Sequence, residues 1–210
     1  AVESGADGIE LDIHLTSDNV PVVLHDETLE RTTDGSGAVS CASSLQIETL
    51  DAGSWFSTDF AEEPVPFLVD VLKVFSGQLC LNLEIKEYRA GLAVLELLTQ
   101  FPDADIVVSS FDYDVLQQLR SADHSLALAV LFDSGSWRRA VTLAKDLSAR
   151  SFHPAANLVS RPMIAECRKA GLPVHVWTVD SIPLARSLFR AGVSGLFAND
   201  PAALRQAFSG

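Results

Sequence analysis

The chain has 210 residues, 48% of them hydrophobic, and 28 acidic against 15 basic side chains give a net charge of -13. That length and apolar content suffice to bury one core. The acidic balance speaks against a nucleic-acid surface, which needs a basic stripe, and against charge-driven attachment to an anionic bilayer. No apolar run approaches the roughly 18 residues of a membrane-crossing helix, so no stable membrane anchor is expected. A small anionic substrate stays open, because local cations override a global field. Cys41, Cys80 and Cys167 show no paired spacing and read as reduced thiols of a cytoplasmic protein.

Residues 1–5 read as a helix tail capped by Gly5. Gly8–Leu15 and residues 21–25 are both strand-like and only a few residues apart. A parallel crossover needs a dozen or more residues, so the spacing predicts an antiparallel hairpin turning at Ser17 and Asp18. Residues 27–66 are polar, rich in Gly and Ser and aperiodic, which predicts a loop excursion or small insertion. Residues 67–75 have helical spacing.

From residue 79 onward strand and helix patterns alternate. Strands are expected at 79–86, 106–111, 126–132, 151–153, 174–179 and 195–199. Helices are expected near 91–100, 113–120, 137–149 and 162–170, then at Ile182–Ala191 and Pro201–Phe208. Gly171 and Gly192 fall where helices should end. Such alternation implies parallel strands joined by right-handed crossovers within a single domain, residues 1–210. The hairpin's first strand and the six later ones make seven, whereas a closed (β/α)8 barrel has eight. The expectation is a barrel whose first strand precedes the chain.

Glu10 and Asp12 alternate with Ile9, Leu11 and Ile13, so both carboxylates point to one face of a strand. Paired carboxylates on an interior face repel unless a cation neutralises them, and hard oxygen ligands suit Mg²⁺ or Ca²⁺. An exposed edge strand with its acids outward is the other reading. With a two-residue turn, Glu10 faces His25 across the hairpin, beside the carboxylates and placed for proton transfer. Glu84 and Lys86 repeat the pattern at the end of the next strand, the catalytic end in barrels of this class. Glu84 is expected to complete a metal shell and Lys86 to meet a phosphate oxygen, unless the two form an ion pair at the rim.

The segment GADGIELDIHLTSDNVPVVLHDETLERTTDGSG resembles the signature of the glycerophosphodiester phosphodiesterase family, and so do LNLEIK, VVSSFD, VWTVD and GVSGLFANDP. The resemblance runs in order through almost the whole chain. It implies an α/β TIM (β/α)8 barrel of the phospholipase-C-like phosphodiesterase type, with a small insertion after the first hairpin. It also implies one divalent cation, Ca²⁺ or Mg²⁺, and hydrolysis of small glycerophosphodiesters to glycerol 3-phosphate and an alcohol. On this resemblance Glu10, Asp12 and Glu84 match the metal ligands, His25 one of two catalytic histidines, Lys86 the phosphate lysine, and Trp177 an aromatic of the pocket wall. Phe111, ending a strand, is placed beside the substrate, with core packing as its other reading.

The family's His-Arg-Gly and Pro-Glu-Asn-Thr motifs do not occur in these residues, hence the expectation that the chain given is incomplete. Asn199 stands where relatives carry Thr. His14 shares the Glu10 and Asp12 face and is expected at the rim, with a reach to the metal as its other reading, while His153 and His175 are expected to be structural and His124 and Trp137 to be surface and packing residues. Trp55 and Phe56 form either a lid or packing for the insertion. Two other functions fit: a non-catalytic metal- or phosphate-binding barrel, and a lipid-directed phosphodiesterase.

Overall fold

The computed structural model describes residues 1–208; the last two residues of the expected 1–210 domain lie outside the described residues. The strands are β1 (Gly8–Leu15), β2 (Pro21–Val23), β3 (Cys80–Ile85), β4 (Ile106–Ser110), β5 (Leu128–Phe132), β6 (Ser151–Pro154), β7 (His175–Val176) and β8 (Gly195–Leu196). The helices are α1 (Ser44–Ile47), α2 (Leu68–Phe75), α3 (Tyr88–Leu98), α4 (Tyr113–Ala122), α5 (Trp137–Asp146), α6 (Arg161–Lys169), α7 (Ile182–Ala191) and α8 (Pro201–Phe208). They form two compact units, Ala1–Glu10 with Leu79–Asn82 and the chain from Ile106, and Leu11–Gln78 with Leu83–Asp105. The division falls inside β1 and β3.

In the first unit, β4, β5 and β6 pair in parallel, as do β7 and β8. Isolated parallel bridges join Phe152 to Val174 and Ala155 to Trp177. All five residues of β5 are buried. Its unbroken apolar run is the pattern of a parallel strand covered on both faces. The helices follow from local chemistry. The Asp112 carboxylate accepts from the backbone N–H groups of Asp114 and Val115 to start α4, and Ser160 caps α6, whose first turn carries Pro162. Gly192, at φ 100°, ends α7 in the left-handed conformation its position demands. The N–H of Gly5 reaches Val2 O at 2.9 Å and that of Ala6 reaches Ala1 O at 3.1 Å, the paired bonds of a helix C-cap.

In the second unit the hairpin departs from expectation by one residue. β1 and β2 are antiparallel, with Ile13 opposite Val23, His14 opposite Val22 and Leu15 opposite Pro21. The expected register put Asp12 opposite Val23 and Glu10 opposite His25. The cause lies at the turn. Asn19 N–H bonds to Thr16 O at 3.0 Å, Thr16 N–H bonds to Val20 O at 3.1 Å, and Asn19 takes φ 63°. This is a type I turn followed by a left-handed bulge residue, three loop residues instead of two. One extra residue shifts every pair beyond it. Leu24, not Val23, therefore meets Asp12, its N–H reaching Asp12 O at 3.1 Å.

The aperiodic stretch after the hairpin is better built than a loop excursion. Val22, Leu24, Leu29, Val39, Ile47 and Val65 form a buried apolar cluster of their own, with Phe67 packed on it. Ser43 and Gln46 make a reciprocal capping box around the four residues of α1. The Asp51 carboxylate accepts from the N–H groups of Gly53, Ser54 and Glu62 and from Ser54 Oγ. Four apolar residues scattered over this length, Leu29, Val39, Ile47 and Val65, give no period to read, yet they converge with Val22 and Leu24 of the hairpin.

Two later strands are shorter than expected. β7 holds only His175–Val176 and β8 only Gly195–Leu196. Side-chain bonds take over where the ladder stops: Asp180 accepts from the backbone N–H of Asn199 at 2.8 Å and from its Nδ2 at 2.7 Å.

Candidate active site

Strand alternation places Glu10 and Asp12 on one face of β1, and Glu84 sits near the end of β3. Their carboxylates offer oxygens that all lie within 4.8 Å of one another. Lys86, just past β3, enters the same group. Its Nζ is 3.0 Å from Asp12 Oδ1 and 3.3 Å from Glu84 Oε1. Burial raises the Glu84 pKa, and the Asp12 charge adds to that, only partly offset by Lys86. The Lys86 pKa is raised although burial pulls it down, because Asp12 and Glu84 hold the ammonium.

This donor set suits a hard divalent cation. All its ligand atoms are oxygens, and three carboxylates against one ammonium leave two uncompensated negative charges when ionised. Asp12 and Glu84, half-buried and of like sign, are costly without a cation between them, and exposed Glu10 adds a third oxygen donor. The expected ion pair of Glu84 with Lys86 is present together with the acid cluster, so the two readings are compatible.

His25 lies beyond β2 in the second unit, and the corrected register removes the cross-strand pairing with Glu10 from which its place was inferred. Its Nδ1 instead bonds Asp26 Oδ1 at 2.7 Å, and Arg31 grips the same carboxylate through Nε and Nη2 at 2.5 and 2.7 Å. Arg31 first, then His25, holds the Asp26 carboxyl well below the usual range. The His25 charge in turn acts on Glu84 and favours its ionised form. His14 Nε2 meets the backbone carbonyl of His25 at 3.3 Å. Neither Asp26 nor Arg31 was singled out from the sequence. The signal was available, since Asp26 adjoins His25 and Arg31 follows five residues on.

In the first unit, Phe111 and Trp177 meet edge to face, centroids 5.5 Å apart at 82°. The Trp177 indole N–H donates to His153 O at 2.8 Å, fixing the ring. Phe111 is exposed, so core packing is not its role. His153 is buried, bonded to Ser151 Oγ through Nε2 at 2.7 Å and stacked on His175 with centroids 5.2 Å apart. Burial lowers its pKa to about 3, so the ring is neutral and structural, as expected.

The sequence profile described as "Glycerophosphoryl diester phosphodiesterase family" matches residues 1–203. The chain belongs to the glycerophosphoryl diester phosphodiesterase family. It is 32% identical to a glycerophosphodiester phosphodiesterase of Caldanaerobacter subterraneus subsp. tengcongensis over 97% of this chain and 86% of that protein. A Bacillus altitudinis glycerophosphodiester phosphodiesterase is 30% identical over 96% of this chain and 86% of its own length. Among solved structures, an Oleispira antarctica phosphodiesterase in complex with the product sn-glycerol-3-phosphate superposes with TM-score 0.91 at 27% identity, covering 99% of this chain and 87% of that one. The Agrobacterium tumefaciens glycerophosphodiester phosphodiesterase gives TM-score 0.86 at 29% identity, covering 98% of this chain and 89% of that one. The fold class is accordingly the α/β TIM barrel of the glycerophosphodiester phosphodiesterases. Among the described residues no helix is long and apolar enough to cross a membrane.

Proposed function

We propose that the chain hydrolyses small glycerophosphodiesters to glycerol 3-phosphate and an alcohol with the help of one divalent cation, Mg²⁺ or Ca²⁺. The convergence of Glu10, Asp12 and Glu84 around Lys86 carries this reading, with family membership beside it. Glu10, Asp12 and Glu84 would hold the cation, which supplies charge neutralisation and polarisation of the phosphoryl group. Lys86 offers its ammonium to a nonbridging phosphate oxygen, a point charge where negative charge grows. His25 exchanges a proton with a reacting oxygen through Nε2, since Nδ1 is committed to Asp26. Trp177 and Phe111 give the glycerol moiety an apolar wall. Water adds across one P–O ester bond, its hydroxyl going to phosphorus and its proton to the departing alkoxide.

The deciding experiment measures glycerol 3-phosphate released from glycerophosphocholine with added Mg²⁺ or Ca²⁺. The expected result is metal-dependent turnover that Glu10→Gln abolishes. Turnover unchanged by that substitution would refute the ligand assignment. Cation binding without turnover would favour the non-catalytic barrel.

A lipid-directed reading draws on Trp55, Phe56 and Phe60, which are 53, 70 and 48% exposed; Trp55 meets Phe56 edge-on and Phe56 meets Phe60 at a tilt. Against it, no Lys or Arg lies between Arg31 and Lys73, while seven acids do. An anionic bilayer would repel that segment. Faster hydrolysis of micellar lysophospholipid than of glycerophosphocholine would reverse the preference.

A further inference from the structure

We propose that Arg31 is a positioning residue for the proton transfer of His25, acting through Asp26. The inference rests on the reading of His25 as the acid–base group. Asp26 is gripped from two sides. Its Oδ1 accepts from His25 Nδ1 and from Arg31 Nη2, both at 2.7 Å, and its Oδ2 accepts from Arg31 Nε at 2.5 Å. A guanidinium fork on a carboxylate fixes the plane of that carboxylate, which a single bond would leave free to turn. The plane of Asp26 then fixes the imidazole. A ring donating Nδ1–H to a carboxylate presents Nε2 as its exchanging atom.

The local fold shows why a second residue is needed. The His25 side chain is 69% exposed, so packing does not hold the ring. Asp26 follows it directly, at the point where the chain leaves β2. Arg31 comes back over Asp26 because residues 29–33 close one tight turn. Thr33 N–H and Thr33 Oγ both donate to Leu29 O, at 3.1 and 2.6 Å, and Leu29 is anchored in the apolar cluster of the second unit. The turn is pinned by these bonds and by Leu29, whereas the histidine ring is exposed.

Charge gives the fork a second effect. The groups facing His25 are Asp26, Arg31 behind it, Glu84 by its field, and His14 at its backbone carbonyl. The Arg31 cation also offsets the charge of the carboxylate it orients.

The test uses the full chain with saturating Mg²⁺ and glycerophosphocholine, and compares Arg31→Met, Arg31→Lys, His25→Ala and the Arg31→Met/His25→Ala double variant. Arg31→Met is expected to lower kcat roughly ten- to hundredfold with KM little changed, the scale of a misoriented catalytic group. Arg31→Lys should restore only part of kcat, because the charge is kept but the fork is lost. In the His25→Ala background Arg31→Met should cost nothing further. A full additional loss in that background, or a raised KM with kcat intact, would overturn this inference while leaving the acid–base role of His25 standing. Wild-type turnover by His25→Ala itself would overturn both.

Discussion

Lys86 Nζ lies 3.0 Å from Asp12 Oδ1, so an ammonium sits where carboxylates crowd. It is there for charge. Burial disfavours the ionised forms of Lys86 and of its partner Glu84, and each limits the cost of the other.

Lys86→Met should therefore separate binding from turnover. Removing the ammonium deepens the negative potential of the site, so the affinity for Mg²⁺ should hold or rise a few-fold. The rate should fall about a hundredfold or more in kcat/KM, the scale of losing one preorganised charge at the transition state. Calorimetric titration of the cation and steady-state kinetics together check this. Parallel loss of both would make Lys86 a structural pin.

Glu84→Gln tests the cost of the cluster itself. The carboxyl is part-buried, and its proton affinity is raised by that burial. Its ionised form thus disfavours the metal-free fold. Added Mg²⁺ or Ca²⁺ should raise the melting temperature of the wild type. The neutral amide should raise that of the metal-free protein at neutral pH and erase the further rise with the cation. Thermal unfolding with and without the cation reads both effects. A lower metal-free melting temperature would show that the pairing with Lys86 outweighs the burial.

How much of this was legible in the sequence depends on the range of the interaction. Glu10 and Asp12 share a face because strand period alone dictates it, and Lys86 with Glu84 likewise. The helices at Ile182–Ala191 and Pro201–Phe208 were read to the residue, since Pro and Gly punctuate them. The hairpin register was not, because it turns on whether Asn19 counts as turn or strand, and an Asn tolerates the left-handed conformation without announcing it. The cluster of Val22, Leu29, Val39, Ile47 and Val65 was missed for a different reason. Its members are too widely and irregularly spaced for any window to catch. Arg31 escaped notice because its role appears only once Asp26 lies between it and His25.

Asn19 offers a direct test of the register argument. At φ 63° a side chain with a Cβ costs roughly 1–2 kcal/mol unless it is Gly, Asn or Asp. Asn19→Gly should keep stability within a few tenths of a kcal/mol, less whatever the bond from Arg89 Nη2 contributes at 2.7 Å. Asn19→Val should lose roughly 1–2 kcal/mol. Urea unfolding of the two variants settles the order. If Val is tolerated as well as Gly, the bulge is not what sets the pairing.

His153 makes the stability of the protein sensitive to acid. The ring is buried between His175 and Phe197, and burial first, then repulsion from His175, depresses its pKa from 6.5 to about 3. The sign follows from proton uptake. Between pH 6.5 and about 3 the unfolded chain binds a proton at this residue that the folded chain refuses. Stability therefore falls as pH falls through that window, at up to about 1.4 kcal/mol per unit from this group alone. His175, depressed by burial and by Arg150, adds in the same direction. His153→Met removes the titrating group while keeping an apolar side chain against Phe197, at the cost of the bond to Ser151 Oγ. Its urea midpoint should start lower at pH 7 and fall less steeply towards pH 4.5 than that of the wild type. Parallel slopes in the two proteins would mean that the folded state takes up the proton on His153, and that the polar groups around it accommodate an imidazolium.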